Sequence, residues 1–194
     1  MLENIAAGTL HGKIMRAGNL SPRAEDGEFQ ANFNANTSMG RIKAYRMLGA
    51  CPYPLLDAKM EFSPIDETAH AIVLLSGTPD ANCVFHVSND HLLPMDDILS
   101  RIRLNDGSPL SYVEYPEFIE RMNQAKEDPE KAKVLSSIIA YAGSADGPKT
   151  VLNIADTTYT MQVLHRLGFR WSETSSDYVD MIFRMLASLR YFEI

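Results

Sequence analysis

What this 194-residue chain lacks narrows the field first. It has only two cysteines, Cys51 and Cys83, too far apart for a Cys-x-x-Cys motif and too few for a disulfide framework. Buried, reduced thiols are the expectation. No apolar run approaches the roughly 20 residues that a membrane-spanning helix needs. The first seven residues carry Glu3 and no basic residue, the wrong layout for a secretory signal, so a cytoplasmic setting is expected. Positive charge is also in deficit: 18 lysines and arginines stand against 25 aspartates and glutamates, a formal net charge of -7. Such a surface repels a phosphate backbone, and no basic run with interleaved aromatics offers a local exception.

Catalytic motifs are missing too. The eleven glycines form neither Gly-x-Gly-x-x-Gly nor Gly-x-x-Gly-x-x-Gly, so the phosphate-cradling turn of a dinucleotide fold is absent. None of the eight tyrosines is followed four residues later by lysine, the pair in which an ammonium lowers the pKa of a phenol that donates a proton. Two glycine pairs have the outer spacing of a nucleophile elbow, but Leu10 and Ala145 stand where the serine would be. The five histidines show no His-x-x-x-His spacing, and no metal is expected. Asp96 and Asp97 fall at the start of a predicted helix, where carboxylates complement the dipole. Glu127, Asp128 and Glu130 read as a solvated link between two helices.

What is present is the composition of an ordinary globular protein, 45% hydrophobic and 22% charged. The opening residues read as a helix end stopped by Gly8, and 12–18 as a short strand closed by Gly18 and Asn19. A helix end followed by a strand suggests an α/β alternation that has lost its beginning. Residues 21–33 are loop-like, with Pro22 and the Asp26-Gly27 pair as turn signals. Asn36 or Thr37 caps a helix over 39–48 that Gly49 stops. Residues 60–65 are extended, and Asp66 caps a helix with Ala69, Ile72, Val73 and Leu75 inward. Residues 83–87 are a near-continuous apolar run, the pattern of a parallel strand covered on both faces. Five helices follow, over 94–103, 115–125, 129–142, 158–167 and 178–192, with an extended piece at 109–114 and a loop at 143–149. The last carries an apolar stripe of Val179, Ile182, Phe183, Leu186 and Leu189.

Several motifs occur together in order: Lys-Ile-Met-Arg-Ala-Gly-Asn-Leu-Ser-Pro-Arg over 13–23, Asp-Gly-Glu-Phe-Gln over 26–30, Met-Gly-Arg-Ile-Lys-Ala-Tyr over 39–45, Glu-Phe-Ser-Pro-Ile-Asp over 61–66, and Val-Phe-His-Val over 84–87 followed by Asn89 and His91. As a set they resemble the terminal thioester reductase domains of nonribosomal peptide synthetases, members of the extended short-chain dehydrogenase/reductases. The resemblance covers essentially the whole chain, including 164–171 and the Leu-Arg-Tyr-Phe ending.

It implies an α/β fold made of a C-terminal remnant of an extended short-chain reductase: a few strands of an incomplete Rossmann sheet over 1–91, then a mainly helical substrate-binding domain over 92–194. The complete enzyme would use NADPH to release a carrier-bound peptidyl or acyl thioester as aldehyde or alcohol. The chain alone would be inactive and hold no cofactor. Gly18, Asn19 and Leu20 would form the loop that closes over the nicotinamide, since glycine permits close approach and leucine can cover a flat ring. Arg23, Phe33, Asn36 and Arg41 would border the substrate. The implied partners are the missing N-terminal Rossmann half and an upstream carrier protein bearing a phosphopantetheine thioester. Losing that half would expose an apolar strand face at Val84 and Phe85, with self-association as one consequence. The rival reading is a stand-alone module that docks a carrier protein or another megasynthase domain.

Overall fold

The computed structural model describes residues 2–79, 83–142 and 155–193. In chain order the elements are α1 (Leu2–Ala6), β1 (Ile14–Ala17), β2 (Leu20–Ser21), α2 (Thr37–Leu48), β3 (Ala50–Pro52), β4 (Lys59–Glu61), β5 (Ser63–Pro64), α3 (Ile65–Ser76), β6 (Val84–Val87), β7 (Leu92–Pro94), α4 (Met95–Leu99), β8 (Ser111–Val113), α5 (Tyr115–Ala125), α6 (Pro129–Ala142), α7 (Thr158–Arg166) and α8 (Ser176–Ser188). Among the described residues the strands pair two by two: β1 with β6, β2 with β5, β3 with β8 and β4 with β7. The class is α/β with few, short strands, as the sequence implied. The segment 143–149, expected as a loop, lies outside the described residues.

Two compact units interleave along the chain. One draws on Met1–Phe29, Glu61–Leu92 and Asn153–Thr174, the other on Gln30–Met60, Leu93–Leu152 and Ser175–Ile194. A division at residue 91 follows the change in local composition, whereas the units are assembled from segments distant in sequence.

In the first unit β1 and β6 are parallel, with Ile14 opposite Val84 and Arg16 opposite His86. Side chains alternate across a strand, so Phe85 and Val87 share one face and are 0% exposed, while Val84 and His86 share the other and are half-buried. The strand is therefore fully covered on one face only. Its cover comes from α3 and α7, which bring Ala71, Leu75, Met161 and Leu164 onto Phe85 and Val87, with Phe169 and Trp171 completing the cluster. Phe85 is thus sheltered within the chain, contrary to the expectation that it would be laid bare. The β6 edge turned away from β1 is also engaged, because the His86 N–H donates to Thr160 Oγ1 at 3.0 Å.

Helix α3 buries Thr68, Ala71 and Leu75. Of the residues expected inward, Leu75 is buried and Ile72 packs against the core, but Ala69 is exposed and Val73 is 67% exposed. The helix begins before Asp66, which sits in its first turn and accepts from the N–H groups of Glu67 at 3.0 Å and Ala24 at 3.1 Å. Helix α7 ends in a Schellman motif. The Phe169 N–H reaches back to the Leu164 carbonyl at 2.9 Å, the Gly168 N–H to His165 at 3.1 Å, and Gly168 takes the left-handed conformation at φ 81°. Phe169 is thereby turned into the core beside Trp171.

The second unit is mainly helical. Helix α2 packs along α6, and β3 and β8 form a parallel pair with Cys51 opposite Tyr112. Met39, Ile42, Leu135, Ile138, Ile182 and Leu186 are buried. Two of its helices are shorter than their apolar patterns suggest. Helix α4 stops at Leu99 because Ile102 N–H bonds only three residues back, to Leu99 O at 3.0 Å, and Arg103 then bridges Pro109. Helix α8 stops in a second Schellman motif: Tyr191 N–H to Leu186 O at 3.0 Å, Arg190 N–H to Ala187 O at 3.0 Å, with Arg190 itself at φ 51°. Its stripe therefore buries Tyr178, Val179, Ile182 and Leu186 and leaves Leu189 exposed.

Candidate functional site: a glycine loop seated on a buried glutamate

The loop at 18–20 leaves β1 with little freedom. Gly18 N–H donates to Val87 O at 2.9 Å, continuing the parallel ladder for one residue, and the chain then enters β2, where Leu20 lies opposite Ser63. A Cβ on Gly18 would stand 2.5 Å from Glu61 Oε1 and 2.5 Å from Ser88 Cβ, a separation real side chains do not tolerate. The glycine is required by the close approach of a carboxylate from within the same unit.

Glu61 holds the loop from several sides. Its Oε2 accepts from Asn19 N–H at 2.7 Å, its backbone carbonyl accepts from Asn19 Nδ2 at 3.2 Å, and its Oε1 accepts from the Ser63 hydroxyl. Ser63 N–H donates to Asn19 O at 2.9 Å, and Ser63 Oγ accepts from Asn89 N–H at 3.0 Å. The network continues outward: Asn89 Nδ2 donates to Ser172 O at 3.2 Å, Asn89 Oδ1 accepts from His91 N–H at 2.9 Å, and Thr174 Oγ1 donates to His91 O at 3.2 Å. Every link belongs to the first unit.

Glu61 is 7% exposed. Burial pushes its carboxyl above the ordinary glutamate range, and the hydrogen bonds from Asn19, Ser63 and Asn89 oppose that shift without cancelling it. Nothing singled this residue out in the sequence beyond one signal. In an extended run, Glu61 and Ser63 point to one face and Met60 and Phe62 to the other, yet all four are buried. A polar pair alternating with apolar neighbours marks a strand whose second face meets a hydrogen-bonded interior.

The other residues implied by the resemblance occupy two places. Arg23 follows the 18–20 loop, and its guanidinium is held by Asp26, through Nε at 3.0 Å and a second short contact, and by Glu28. The hydrogen bond from Arg23 keeps the Asp26 carboxyl below its ordinary range. Within the second unit, Phe33, Asn36 and Arg41 fall on the 3-10 turn Phe33–Ala35 and the start of α2. Phe33 meets Tyr191 edge-on at 5.6 Å between ring centroids. Asn36 caps α2, its side chain accepting from Met39 N–H at 3.0 Å. Arg41 is half-buried, and its charge acts on the buried Tyr45 phenol, although burial dominates and raises that group.

The arrangement offers shape more than reactivity. The amide N–H groups of Gly18 and Asn19 are both engaged inside the unit, so the loop presents a wall with the half-buried Leu20 side chain and supplies neither amide as a donor to a phosphate. Burial pushes the Cys51 thiol up to about 12, which leaves it protonated and unreactive at neutral pH. Among the described residues no group of His, Cys, Asp and Glu could hold a metal ion, and no helix is long and apolar enough to cross a membrane.

No protein-family model matches the chain, and no curated protein matches it. Solved structures do. A thiolation-reductase di-domain from an archaeal non-ribosomal peptide synthetase is 32% identical, with a TM-score of 0.80 over 97% of this chain and 38% of that one. The terminal R domain of the myxalamid PKS-NRPS biosynthetic pathway is 20% identical, with a TM-score of 0.72 over 93% of this chain and 44% of that one. The reductase domain of the aureusimine biosynthetic cluster is 20% identical, with a TM-score of 0.74 over 97% and 48%. The fold is thus that of part of a reductase domain, and the chain spans less than half the length of each of these structures. Over nearly its whole length the chain is similar to part of the terminal reductase domains of nonribosomal peptide synthetases, an extent consistent with a C-terminal portion of such a domain.

Proposed function

We propose that this chain forms the substrate-facing, C-terminal portion of an NADPH-dependent thioester reductase that releases a carrier-bound peptidyl or acyl group as an aldehyde or alcohol. The observation that carries this reading is the similarity to reductase domains over nearly the whole chain, combined with the absence from the sequence of a glycine-rich cofactor turn and of any Tyr-x-x-x-Lys pair. In the complete domain NADPH would supply the hydride that reaches the thioester carbonyl carbon as the C–S bond breaks and the carrier's thiol leaves, one equivalent giving the aldehyde and a second the alcohol.

This chain's own part is to shape and close the site. Leu20 covers one face of the flat ring while the 18–20 loop, its amides already engaged, stays rigid. Arg23 keeps that loop's continuation in place through Asp26 and Glu28 rather than gripping a ligand. Phe33 and Arg41 border the acyl group, and Asn36 fixes the start of the helix that carries Arg41. The partners are the remainder of the reductase domain, which brings the cofactor-binding turn, and the carrier protein that presents the thioester. Titration of an acyl-pantetheine thioester into the 15N-labelled chain tests the substrate side directly. Amide shifts should appear at Phe33 and Arg41, and a titration that leaves those residues unmoved would overturn the assignment.

A further inference from the structure

We propose that Glu61 is the positioning residue of the 18–20 loop, setting through its side chain the distance and tilt at which that loop meets the nicotinamide ring; the inference rests on the reading above that this loop faces the cofactor.

Three observations converge. The carboxylate carries two acceptor oxygens aimed at two different elements, Asn19 N–H after β1 and the Ser63 hydroxyl on β5, so one side chain fixes the separation of both. The absence of a side chain at Gly18 lets that carboxylate stand against the loop backbone itself, where any Cβ would collide with Oε1 and Oε2 at 2.5 and 2.7 Å. The carboxylate is in turn held from behind, because Ser63 is tied to Asn89 and Asn89 to Ser172. An apolar residue would fill the same space but remove the carboxylate acceptor from the part-buried Asn19 N–H. A buried acid is a costly way to brace a turn, and what it gives in exchange is a single, directional arrangement. The loop's geometry is therefore determined by a residue more than 40 positions away in sequence.

Amide hydrogen exchange on the full chain reads the positioning directly. Glu61→Ala should speed exchange at Asn19 by about tenfold, the loss expected when a hydrogen bond worth about 1.4 kcal/mol is removed. Glu61→Gln, which keeps one acceptor oxygen and the shape, should restore most of the protection. Should Glu61→Ala fail to fold, Gly18→Ala forces the same contact apart and should raise exchange at Asn19 as well. Unchanged exchange at Asn19 in the folded variant would overturn the positioning role while leaving the cofactor-facing reading intact. In the complete reductase domain, Glu61→Ala should raise KM for NADPH more than it lowers kcat, with Glu61→Gln restoring it. A purely structural role would reduce the amount of active enzyme and leave KM alone. Faster exchange with an unaltered KM would overturn the cofactor-facing reading, and the proposal with it.

Discussion

Of the buried polar residues described, all but Ser38 belong to the unit that carries the 18–20 loop, whereas the helical unit is closed almost entirely by apolar side chains. Both units end a helix with the same Schellman geometry, but the first uses Gly168 for its left-handed residue and the second forces Arg190 into that conformation. The difference shows where directionality is required. Apolar packing tolerates volume-conserving exchange. Hydrogen bonds among buried groups tolerate little, and those of Glu61, Ser63 and Asn89 converge on one short loop.

The comparison can be broken most strongly in the first unit's core. Phe85 sits on β6 beneath α3 and α7, so Phe85→Ala should cost about 3–5 kcal/mol. The single tryptophan, Trp171, lies in the same cluster, and its fluorescence during urea unfolding reports this unit specifically. An unchanged midpoint would mean the strand is not the centre of that core.

The buried carboxylate gives the next effect, and its sign is fixed. Glu61 has a raised pKa in the folded state, so its contribution to stability is full at acid pH and falls as pH rises through that raised value. Gln does not titrate. The stability of Glu61→Gln relative to the native chain should therefore increase as pH rises above the ordinary glutamate value, about 4.3, and level off once the raised value is passed. A difference that stays flat or shrinks with rising pH would show that Glu61 is not desolvated.

Smaller effects test the helical unit. Asn36→Ala removes the cap of α2 and should cost about 1 kcal/mol, visible as a lower thermal midpoint by circular dichroism. Arg190→Gly relieves the left-handed strain at the end of α8 and should stabilise by about 0.5 kcal/mol, once glycine's extra freedom in the unfolded chain is set against the strain. A loss of stability would mean that the Arg190 side chain contributes more than its backbone strain costs.

How far the sequence could be read follows the same division. Helices α5 and α6 lie where proline, acidic first turns and the polar stretch between them place their ends, because those signals are local. Helices α4 and α8 run shorter than their apolar periodicity, since a three-residue turn and a left-handed arginine end them, and neither leaves a compositional mark. On α3 the expected inward residues Ile72 and Leu75 do face the core, but Ala69 and Val73 do not, because Thr68 and Ala71 take the neighbouring inward positions. The end of β1 before Gly18 and Asn19 was legible from that pair as a turn signal. The support of the 18–20 loop was not: Glu61 matters through partners at 19, 63 and 89, a relation no local window contains.

The central proposal is that this chain shapes where the thioester sits, while the hydride would come from NADPH held by the remainder of the domain and the proton from a residue there. Steady-state NADPH oxidation by the purified chain, with an acyl-pantetheine thioester in excess, tests that most directly. The account predicts a rate indistinguishable from the protein-free control; thioester-dependent oxidation above that background would contradict it.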